Sequence, residues 1–405
     1  MLPLDDLLVF DLSRVLSGPY CSMYLGDFGA RVVKLELPGD GDDTRRFGPP
    51  FLGGESTYFM SVNRNKESIA VDLKHPSGQK IALDLAARAD ILLENFRPGA
   101  LTKLGLDYAT LAEKNPRLIY ASISGYGHSG DPDWVRRPGY DLAIQGMGGL
   151  ASLTGLPDGP PLKSGVSIAD LAAGLYALVG ILVALHARER TGRGQHVDVS
   201  MLDGQVSLLT YHAGSLFATG QVPSRRGNQH PSIVPYETFQ AADGWFNLAV
   251  GNDSLWRAFG AAVAPALAGV VDDPRFATNQ ARVENRVALG AILEPLLASR
   301  TVEEWVAICD RAGVPAGPIL NIGQALSHPQ VRARGMVTTV EHPTAGPVQM
   351  TGVPVRLSET PGAVRTPPPR LGEHTRSVLG SLLGLGEEEL GALERAGAVA
   401  FAKAV

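Results

Sequence analysis

Short apolar runs alternate with helix-like segments along the first half of the chain, and this alternation restricts the fold more than any other feature. Runs at residues 7–10, 31–36, 68–73, 91–95 and 118–123 are typical of strands, and helical patterns at 19–28 and 78–87 lie between them. Strands joined by helices pair in parallel, because a crossover is needed to bring the second strand alongside the first. The sequence therefore predicts an α/β fold with helices on both faces of a largely parallel sheet.

A longer helix is predicted to begin near Asp170. Its apolar positions, from Leu171 to Leu185, follow a helix with one buried face, and Gly192 ends it before a strand at 196–201. Because Gly174 and Gly180 interrupt the apolar stretch, we expect it to be too short to cross a bilayer, and no membrane association is expected.

Length and charge exclude several classes of protein. A chain of 405 residues exceeds one ordinary core, and its own turns and elements make residues 223–318 a candidate smaller domain. The net charge of −5 gives no electrostatic reason to bind nucleic acid. The two cysteines, Cys21 and Cys309, are far apart, which argues against a zinc site and favours a reducing cytoplasm. The first residues lack the features of a signal peptide.

Three segments carry residues that suit chemistry. Ser17-Gly18-Pro19 follows the first strand and opens a helix, where a phosphate could bind, with Glu36 as a possible ribose ligand; the fingerprint G-x-G-x-x-G is missing, so a standard NAD site is disfavoured. Asp170 could cap its helix, and the helix dipole would keep its carboxylate ionised, as a nucleophile requires. Tyr140 is predicted to be half-buried, and Asp141 to cap the helix that follows it.

Eight motifs occur in an order that matches a known family. They lie at residues 11–19, 33–36, 41–45, 65–68, 94–99, 165–170, 191–195 and 371–375. With them the chain resembles the class III CoA-transferases, of the formyl-CoA transferase and carnitine CoA-transferase type. The resemblance implies that Asp170 is the covalent nucleophile. It also implies a large Rossmann-like domain built from both chain ends, a smaller inserted α+β domain, and a homodimer of interlocked rings. The expected ranges are 1–205 and 330–405 for the large domain and 223–325 for the small one.

The resemblance also implies where coenzyme A binds, as the thioester substrate of an enzyme with no permanently bound cofactor and no metal. The positions that match the CoA site are Val15, Leu16, Val71, Leu73, Lys74, Asn95, Phe96, Ala100, Lys103, Leu104 and Tyr126. Lys74 and Lys103 could meet CoA phosphates, or could be solvated surface lysines. Leu37 departs from the formyl-CoA transferase pattern, which has an arginine there, so contacts at that position must differ.

Other activities remain open. Racemases of α-methylacyl-CoA share the fold and have a histidine at the position of Tyr140; tyrosine side chains titrate near about 10, far from neutrality, which favours transfer over racemisation. An intramolecular transferase would use the same chemistry within one diacid. In a CoA-binding subunit without catalytic activity, an intact Asp170 motif would be unnecessary.

The acceptor is predicted from the segment 225–236. Formyl-CoA transferases carry a run of glycines over the nucleophile, and this chain has none; the segment resembles that of enzymes acting on succinyl-CoA and C4 to C6 dicarboxylates such as glutarate, itaconate or hydroxymethylglutarate. A dicarboxylate needs a cation for its unreacting end, and residues 227–233 could form a lid. The candidates for that cation are Arg45, Arg46, Arg225, Arg226 and His230.

Overall fold

The computed structural model describes residues 2–402; Met1 and residues 403–405, the outermost positions of two predicted domain ranges, lie outside the described residues. The strands, in chain order, are β1 (Leu8–Asp11), β2 (Arg31–Glu36), β3 (Phe51–Leu52), β4 (Glu55–Ser56), β5 (Lys66–Val71), β6 (Ile91–Glu94), β7 (Ile119–Ser124), β8 (His196–Ser200), β9 (Tyr236–Gln240), β10 (Trp245–Ala249), β11 (Ala316–Pro318), β12 (Val337–His342), β13 (Gly346–Thr351) and β14 (Val399–Ala400).

The helices are α1 (Ser17–Asp27), α2 (Thr57–Ser61), α3 (Pro76–Ala86), α4 (Tyr108–Lys114), α5 (Pro132–Val135), α6 (Asp141–Met147), α7 (Leu150–Leu153), α8 (Ile168–Thr191), α9 (Met201–Ser207), α10 (Thr210–Thr219), α11 (Asp253–Ala262), α12 (Asn279–Glu284), α13 (Arg286–Leu297), α14 (Val302–Ala312), α15 (Ile322–Ser327), α16 (Pro329–Ala333), α17 (Thr375–Leu383) and α18 (Glu387–Arg395). Single 3-10 turns occur at Asp43–Arg46 and Thr102–Leu104.

The chain forms two compact units. The first contains the residues up to Leu150, Lys163–Gly214 and the residues from Pro329 onward, and the second contains Ala151–Leu162 and Ser215–His328. The predicted range 1–205 had assigned residues 151–162 to the large domain. They pack in the second unit because the guanidinium of Arg225 donates to the carbonyls of Leu156 and Gly159.

The first unit is built on a seven-stranded sheet in the order β14-β5-β2-β1-β6-β7-β8. Every neighbouring pair from β5 to β8 is parallel, and β14 adds antiparallel to β5. Buried apolar clusters cover both faces of the sheet, one with α3, α4 and α17 and the other with α1 and α8. The mixed α/β class with a mainly parallel sheet is therefore confirmed.

Helix α8 is longer and more apolar than expected. An 18-residue stretch within its 24 residues has a mean hydropathy of 2.2, so by length and composition α8 could cross a bilayer, and the prediction that no apolar stretch reaches that length was wrong. The glycines do not shorten it, because helix propensity is overridden where small residues allow close packing: Gly174 lies against the Ser17 carbonyl of α1. One side of α8 is buried against the sheet, and Leu175, Val179 and Val183 on the other side are 44%, 57% and 61% exposed.

The second unit contains a three-stranded sheet in the order β11-β10-β9, antiparallel throughout. Helices α11 to α14 surround a core that includes Phe246, Trp256 and Trp305. The guanidinium of Arg282, fully buried, donates to the carbonyls of Val234 and Phe276 and pairs with Asp253. These bonds offset the cost of removing the guanidinium from water, so the buried cation can link separate segments of the second unit.

Candidate active site

Asp170 lies in the first turn of α8 and lines a cavity of about 370 Å³. Ser167 occupies the N-cap position, so Asp170 is the third residue of the helix and the interpretation of Asp170 as a cap was wrong. Its side chain points out of the helix into space bounded by loops that follow the strands β1, β6 and β7. The other polar or aromatic side chains around this cavity are Arg14, Ser17, Asp43, Asn95, Phe96, Arg97, Ser124, Arg137 and Tyr140.

The helix dipole favours the ionised form of Asp170, but the surroundings of its carboxyl group favour the protonated form. Burial is the largest effect, the neighbouring carboxylate of Asp141 adds to it, and together they raise the pKa of Asp170 to about 7. A hydrogen bond from the hydroxyl of Ser17 acts in the opposite direction. Near neutral pH the carboxyl group is therefore present in both forms, and its ionised form is poorly solvated.

Asp141 is held against the start of α8. One carboxylate oxygen accepts the N–H of Ala169 at 2.9 Å and the other accepts the side-chain amide of Gln145 at 2.7 Å. The side-chain oxygen of Gln145 accepts the N–H of Ser164, which fixes the segment that leads into α8. Asp141 is the first residue of α6 and Tyr140 occupies its N-cap, so the prediction for Asp141 as a cap was wrong.

Tyr140 is 73% exposed, not half-buried as predicted. It lines the cavity of Asp170 from the N-cap position of α6, where its backbone is extended.

The loop between β1 and α1 forms one wall and rests on buried charges. Val15 has a left-handed backbone, with φ 68°, which costs a β-branched residue energy. Its N–H donates to the carboxylate of Asp42, and Asp42 in turn pairs with the ammonium of Lys34 at 2.9 Å, both side chains being fully buried. Lys34 also donates to the carbonyl of Ser13. These contacts fix the position of the loop next to Asp170.

The loop after β6 forms the opposite wall. The side-chain oxygen of Asn95 accepts the N–H of Arg14 at 2.8 Å, and its amide nitrogen donates to the Arg14 carbonyl at 2.7 Å and to the Ser17 hydroxyl at 3.4 Å. The guanidinium of Arg14 lies over the ring of Phe96, 4.9 Å from its centre. The two walls are thus joined above the sheet.

A second cavity of about 480 Å³ adjoins the first. Arg14, Asp43 and Phe96 line both, so the two form one groove that leads to Asp170. The second cavity is largely apolar on the side formed by β2 and β5. Its other lining residues include Leu12, Leu37, Val71, Leu73, Lys74 and Leu104.

The structure brings most of the predicted CoA-site residues to this groove. Val15, Asn95, Phe96 and Ala100 line the cavity of Asp170, and Val71, Leu73, Lys74 and Leu104 line its neighbour.

Three predicted CoA-site residues line neither cavity within residues 2–402. Leu16 is packed with Met23 in a small core, Lys103 is exposed, and the hydroxyl of Tyr126 donates to the sulfur of Met147.

The arginines predicted to bind a substrate carboxylate have other partners. Arg45 pairs with Glu36 at 2.6 Å, reaches Glu55 and lies over the ring of Phe59, so its charge is neutralised in the first unit. Because Glu36 is occupied by this ion pair with Arg45, its interpretation as a ribose ligand is disfavoured. Arg46 pairs with Asp40 and Asp43 at the surface.

The remaining predicted cations lie in the second unit. Arg225 binds carbonyls of its own unit, as described above, and Arg226 lies close enough to Arg286 to lower the pKa of that guanidinium, an effect smaller than that of burial. The main-chain N–H of His230 donates to the Tyr236 carbonyl. The predicted lid is anchored there: carbonyls of His230, Ser232 and Val234 accept hydrogen bonds from the side chains of Arg286, Asn279 and Arg282.

Two residues of the site, Arg97 and Arg137, were not singled out from the sequence, although both line the cavity of Asp170. Ser17 and Asp141 were singled out for other roles, and the structure shows that both act on the pKa of Asp170. Arg97 lies inside a recognised motif, so its position next to recognised residues was an available signal. Arg137 carries no such signal. Among residues 2–402, no cluster of histidine, cysteine or acidic side chains could hold a metal ion.

Comparison with known proteins agrees with this geometry. The family model of CoA-transferase family III matches residues 4–375. The chain is 45% identical to an acetyl-CoA:oxalate CoA-transferase of Acetobacter aceti (89% of this chain, 92% of the relative) and 42% identical to the succinyl-CoA:glutarate CoA-transferase of Mus musculus (98% and 89%). A crystal structure of a CAIB/BAIF family protein from Brucella suis superposes with a TM-score of 0.82 at 41% identity, covering 94% of this chain and 99% of that one.

A mainly parallel α/β unit thus carries the half-buried carboxyl group of Asp170 on the wall of a groove. With the family match across most of its length, the chain belongs to CoA-transferase family III and is a class III CoA-transferase.

Proposed function

We propose that this enzyme transfers CoA from an acyl-CoA, most simply succinyl-CoA, to a C4 to C6 dicarboxylate, with Asp170 as the covalent nucleophile. The observation that carries the proposal is the placement of the Asp170 carboxyl group at the end of a groove, where burial and Asp141 raise its pKa to about 7. A poorly solvated carboxylate of raised pKa is a better nucleophile than an ordinary one.

The proposed reaction has four displacement steps. An ionised oxygen of Asp170 attacks the thioester carbonyl, and the CoA thiolate leaves, which gives a mixed anhydride. The thiolate then attacks the aspartyl carbonyl, releases the donor acid and forms an aspartyl-CoA thioester. The acceptor carboxylate attacks the aspartyl carbonyl of that thioester and expels the thiolate, which gives a second mixed anhydride. The thiolate finally attacks the acceptor's acyl carbon, which forms the new acyl-CoA and frees Asp170. Each step conserves an activated acyl bond, so no ATP is consumed.

The groove supports an extended CoA. The second cavity offers apolar walls with Lys74 and Arg46 at its edge, which suits an adenosine and its phosphates. The shared part, lined by Arg14, Asp43 and Phe96, would hold the pantetheine, and the sulfur would then reach Asp170. Lys74 is exposed and remains a candidate for a phosphate contact.

The acceptor class rests on the names of the relatives. These include a transferase for oxalate, one for glutarate and one for D-citramalate (39% identical, Chloroflexus aurantiacus), all of them acids with two carboxyl groups. Their CoA donors differ, acetyl-CoA in the first and succinyl-CoA in the others. Arg97 and Arg137, which line the cavity of Asp170, can pair with the unreacting carboxylate.

The exposed apolar side of α8 supports the homodimer of interlocked rings. Leu175, Val179, Leu182 and Val183 recur on one side of this helix and are 42–61% exposed, although its other side is buried. A continuous apolar face of this kind marks a contact surface, and a second copy of the chain is the occupant that the family resemblance supplies.

The activity is tested by mass spectrometry of acyl-CoA products. The protein is mixed with succinyl-CoA or acetyl-CoA and with glutarate, itaconate, mesaconate, citramalate, hydroxymethylglutarate, oxalate, formate and carnitine. We expect new thioesters from dicarboxylates and at least about a 10³-fold loss of kcat in Asp170→Ala, because no other group would form the covalent intermediate. Asp310→Ala, which alters an exposed carboxylate of α14, should keep full activity.

Trapping identifies the intermediate. Reduction with borohydride during turnover should modify Asp170, and an adduct mapped to another carboxylate would overturn the mechanism. If no acid yields a new thioester, exchange of the α-proton of a 2-methylacyl-CoA with deuterium would point to the racemase instead.

A further inference from the structure

Glu94 carries a buried carboxyl group that the proposed reaction does not use. It ends β6, is 2% exposed, and accepts the main-chain N–H of Phe96 at 2.7 Å. Phe96 lines both cavities of the groove. Asn95, which lies between Glu94 and Phe96 in the chain, binds the Arg14 backbone and the Ser17 hydroxyl. The carboxyl group of Glu94 is therefore the anchor of the segment that forms one wall of the groove.

A chain of hydrogen bonds reaches Glu94 from the neighbouring strands. Glu94, Ser122 and Asp198 are in register on β6, β7 and β8, so their side chains share one face of the sheet. The hydroxyl of Ser122 donates its one hydrogen to Glu94 and lies 2.8 Å from Nε2 of His196. Because that hydrogen is already used, the Ser122 oxygen must accept a hydrogen from His196.

His128 faces Glu94 from the loop after β7. Its Nε2 atom lies 3.8 Å from a carboxylate oxygen of Glu94 and, within residues 2–402, is buried without a hydrogen-bond partner. Its main-chain N–H donates to Asp198 at 2.9 Å, and its ring meets that of His196 edge-on. A neutral imidazole with its hydrogen on Nε2 would direct a donor at this carboxyl group and so stabilise its ionised form.

The charges in this cluster respond to pH in different ways. Burial, with a smaller effect of Asp198, raises the pKa of Glu94 to about 7, against the hydrogen bonds from Ser122 and Phe96. Burial lowers the pKa of His128 and of His196. Burial also raises the pKa of Tyr120, a further titratable side chain that faces Glu94. Near neutral pH, Glu94 changes its charge while the two imidazoles and the phenol remain neutral.

We propose that Glu94 is a positioning residue whose ionised carboxylate holds Asn95 and Phe96 in the arrangement that binds CoA, with His128 stabilising that ionised form. The inference rests on the proposed function only in taking the groove as the CoA site. Hydrogen bonds to an ionised acceptor are about twice as strong as those to a neutral one, so protonation of Glu94 loosens the Phe96 anchor. CoA affinity therefore falls as the pH decreases through about 7.

The test is the dissociation constant of CoA, measured by calorimetry from pH 5.5 to 8.5. It is made on Asp170→Asn, because Asp170 titrates in the same range and would obscure Glu94. We expect the Kd to rise roughly tenfold toward acid pH, at the low end of ordinary coupling between two sites. Adding Glu94→Gln, which keeps the shape and an acceptor oxygen, should give a Kd that stays at the acid value at every pH.

His128→Asn supplies a second measurement. Loss of the imidazole should raise the pKa of Glu94 and move the midpoint of the Kd curve to higher pH. Circular dichroism checks that each variant is folded, and Ser381→Ala, on α17, is a matched control that should leave the curve unchanged.

Three results would overturn the proposal. They are a Kd independent of pH in Asp170→Asn, an unchanged pH dependence after Glu94→Gln, and an unchanged midpoint after His128→Asn. Absence of CoA binding at every pH would be a different failure, since it would remove the CoA site itself and this inference with it.

Discussion

Among single residues, Asp170 shows how position decides chemistry. Its carboxyl group lies at a helix start, which favours the ionised form, and beside Asp141 in a buried site, which opposes it. Burial and the like charge win, because desolvation acts on the whole charge while the dipole acts through partial charges at the helix end. The side chain of Asp170, the proposed nucleophile, is thereby made unfavourable for the stability of the fold.

Asp141→Asn should make the enzyme active at lower pH. Removing the neighbouring negative charge lowers the pKa of Asp170, so the acid limb of the kcat profile should move down by about 1 pH unit. Asp133→Asn, which removes an exposed charge from α5, should leave the profile in place. A profile unchanged by Asp141→Asn would show that this carboxylate does not control the nucleophile.

Asp170→Asn should be more stable than the wild type at pH 8. A carboxyl group whose folded-state pKa is raised destabilises the fold at any pH above its unfolded-state pKa; the cost is complete above the folded-state pKa and declines as the pH falls toward the unfolded-state value. Asparagine has no such cost, so the free energy of unfolding should rise by roughly 2 kcal/mol at pH 8 and by less at pH 5.5. Urea unfolding at both pH values measures the difference; no gain at pH 8 would contradict the buried-charge account.

Among elements, the loop from β1 to α1 depends on the buried pair of Lys34 and Asp42. Asp42→Ala leaves the Lys34 ammonium without its carboxylate and releases the N–H of Val15, so the free energy of unfolding should fall by roughly 3–5 kcal/mol. CoA binding should weaken as well, since Val15 lines the groove. Asp40→Ala breaks only an exposed pair with Arg46 and should cost less than about 1 kcal/mol. Equal losses in the two variants would refute this difference in roles.

The elements themselves were largely predictable. Local patterns located β2 at the predicted residues 31–36 and β7 within one residue of the predicted 118–123, because each is a short apolar run that is buried in the sheet. Local patterns did not predict the exposure of Tyr140, the partners of Arg45 or the proximity of Asp141 to Asp170. Each depends on tertiary packing between separate elements, which the local patterns of a single sequence do not determine.

The whole molecule presents an apolar side of α8 that a second copy is proposed to cover. Val183→Glu places a charge in the middle of that face, so we expect light scattering to report dimers for the wild type and a shift toward monomers for the variant. Glu189→Gln, on the same helix, is the matched control. A monomeric wild type at micromolar concentration would refute the dimer.

The pairing of β14 with β5 has a consequence for how the protein is made. Ala70 of β5 also donates its N–H to Thr375, which follows it by 305 positions in the chain. At ribosomal speeds of about 5–20 residues per second, those partners emerge roughly 15–60 s after β5. Throughout that interval β5 is an open sheet edge, a template for wrong pairing. The nascent chain must either keep this sheet unformed or have the edge shielded, and its yield in cells should depend on chaperones more than its final stability suggests.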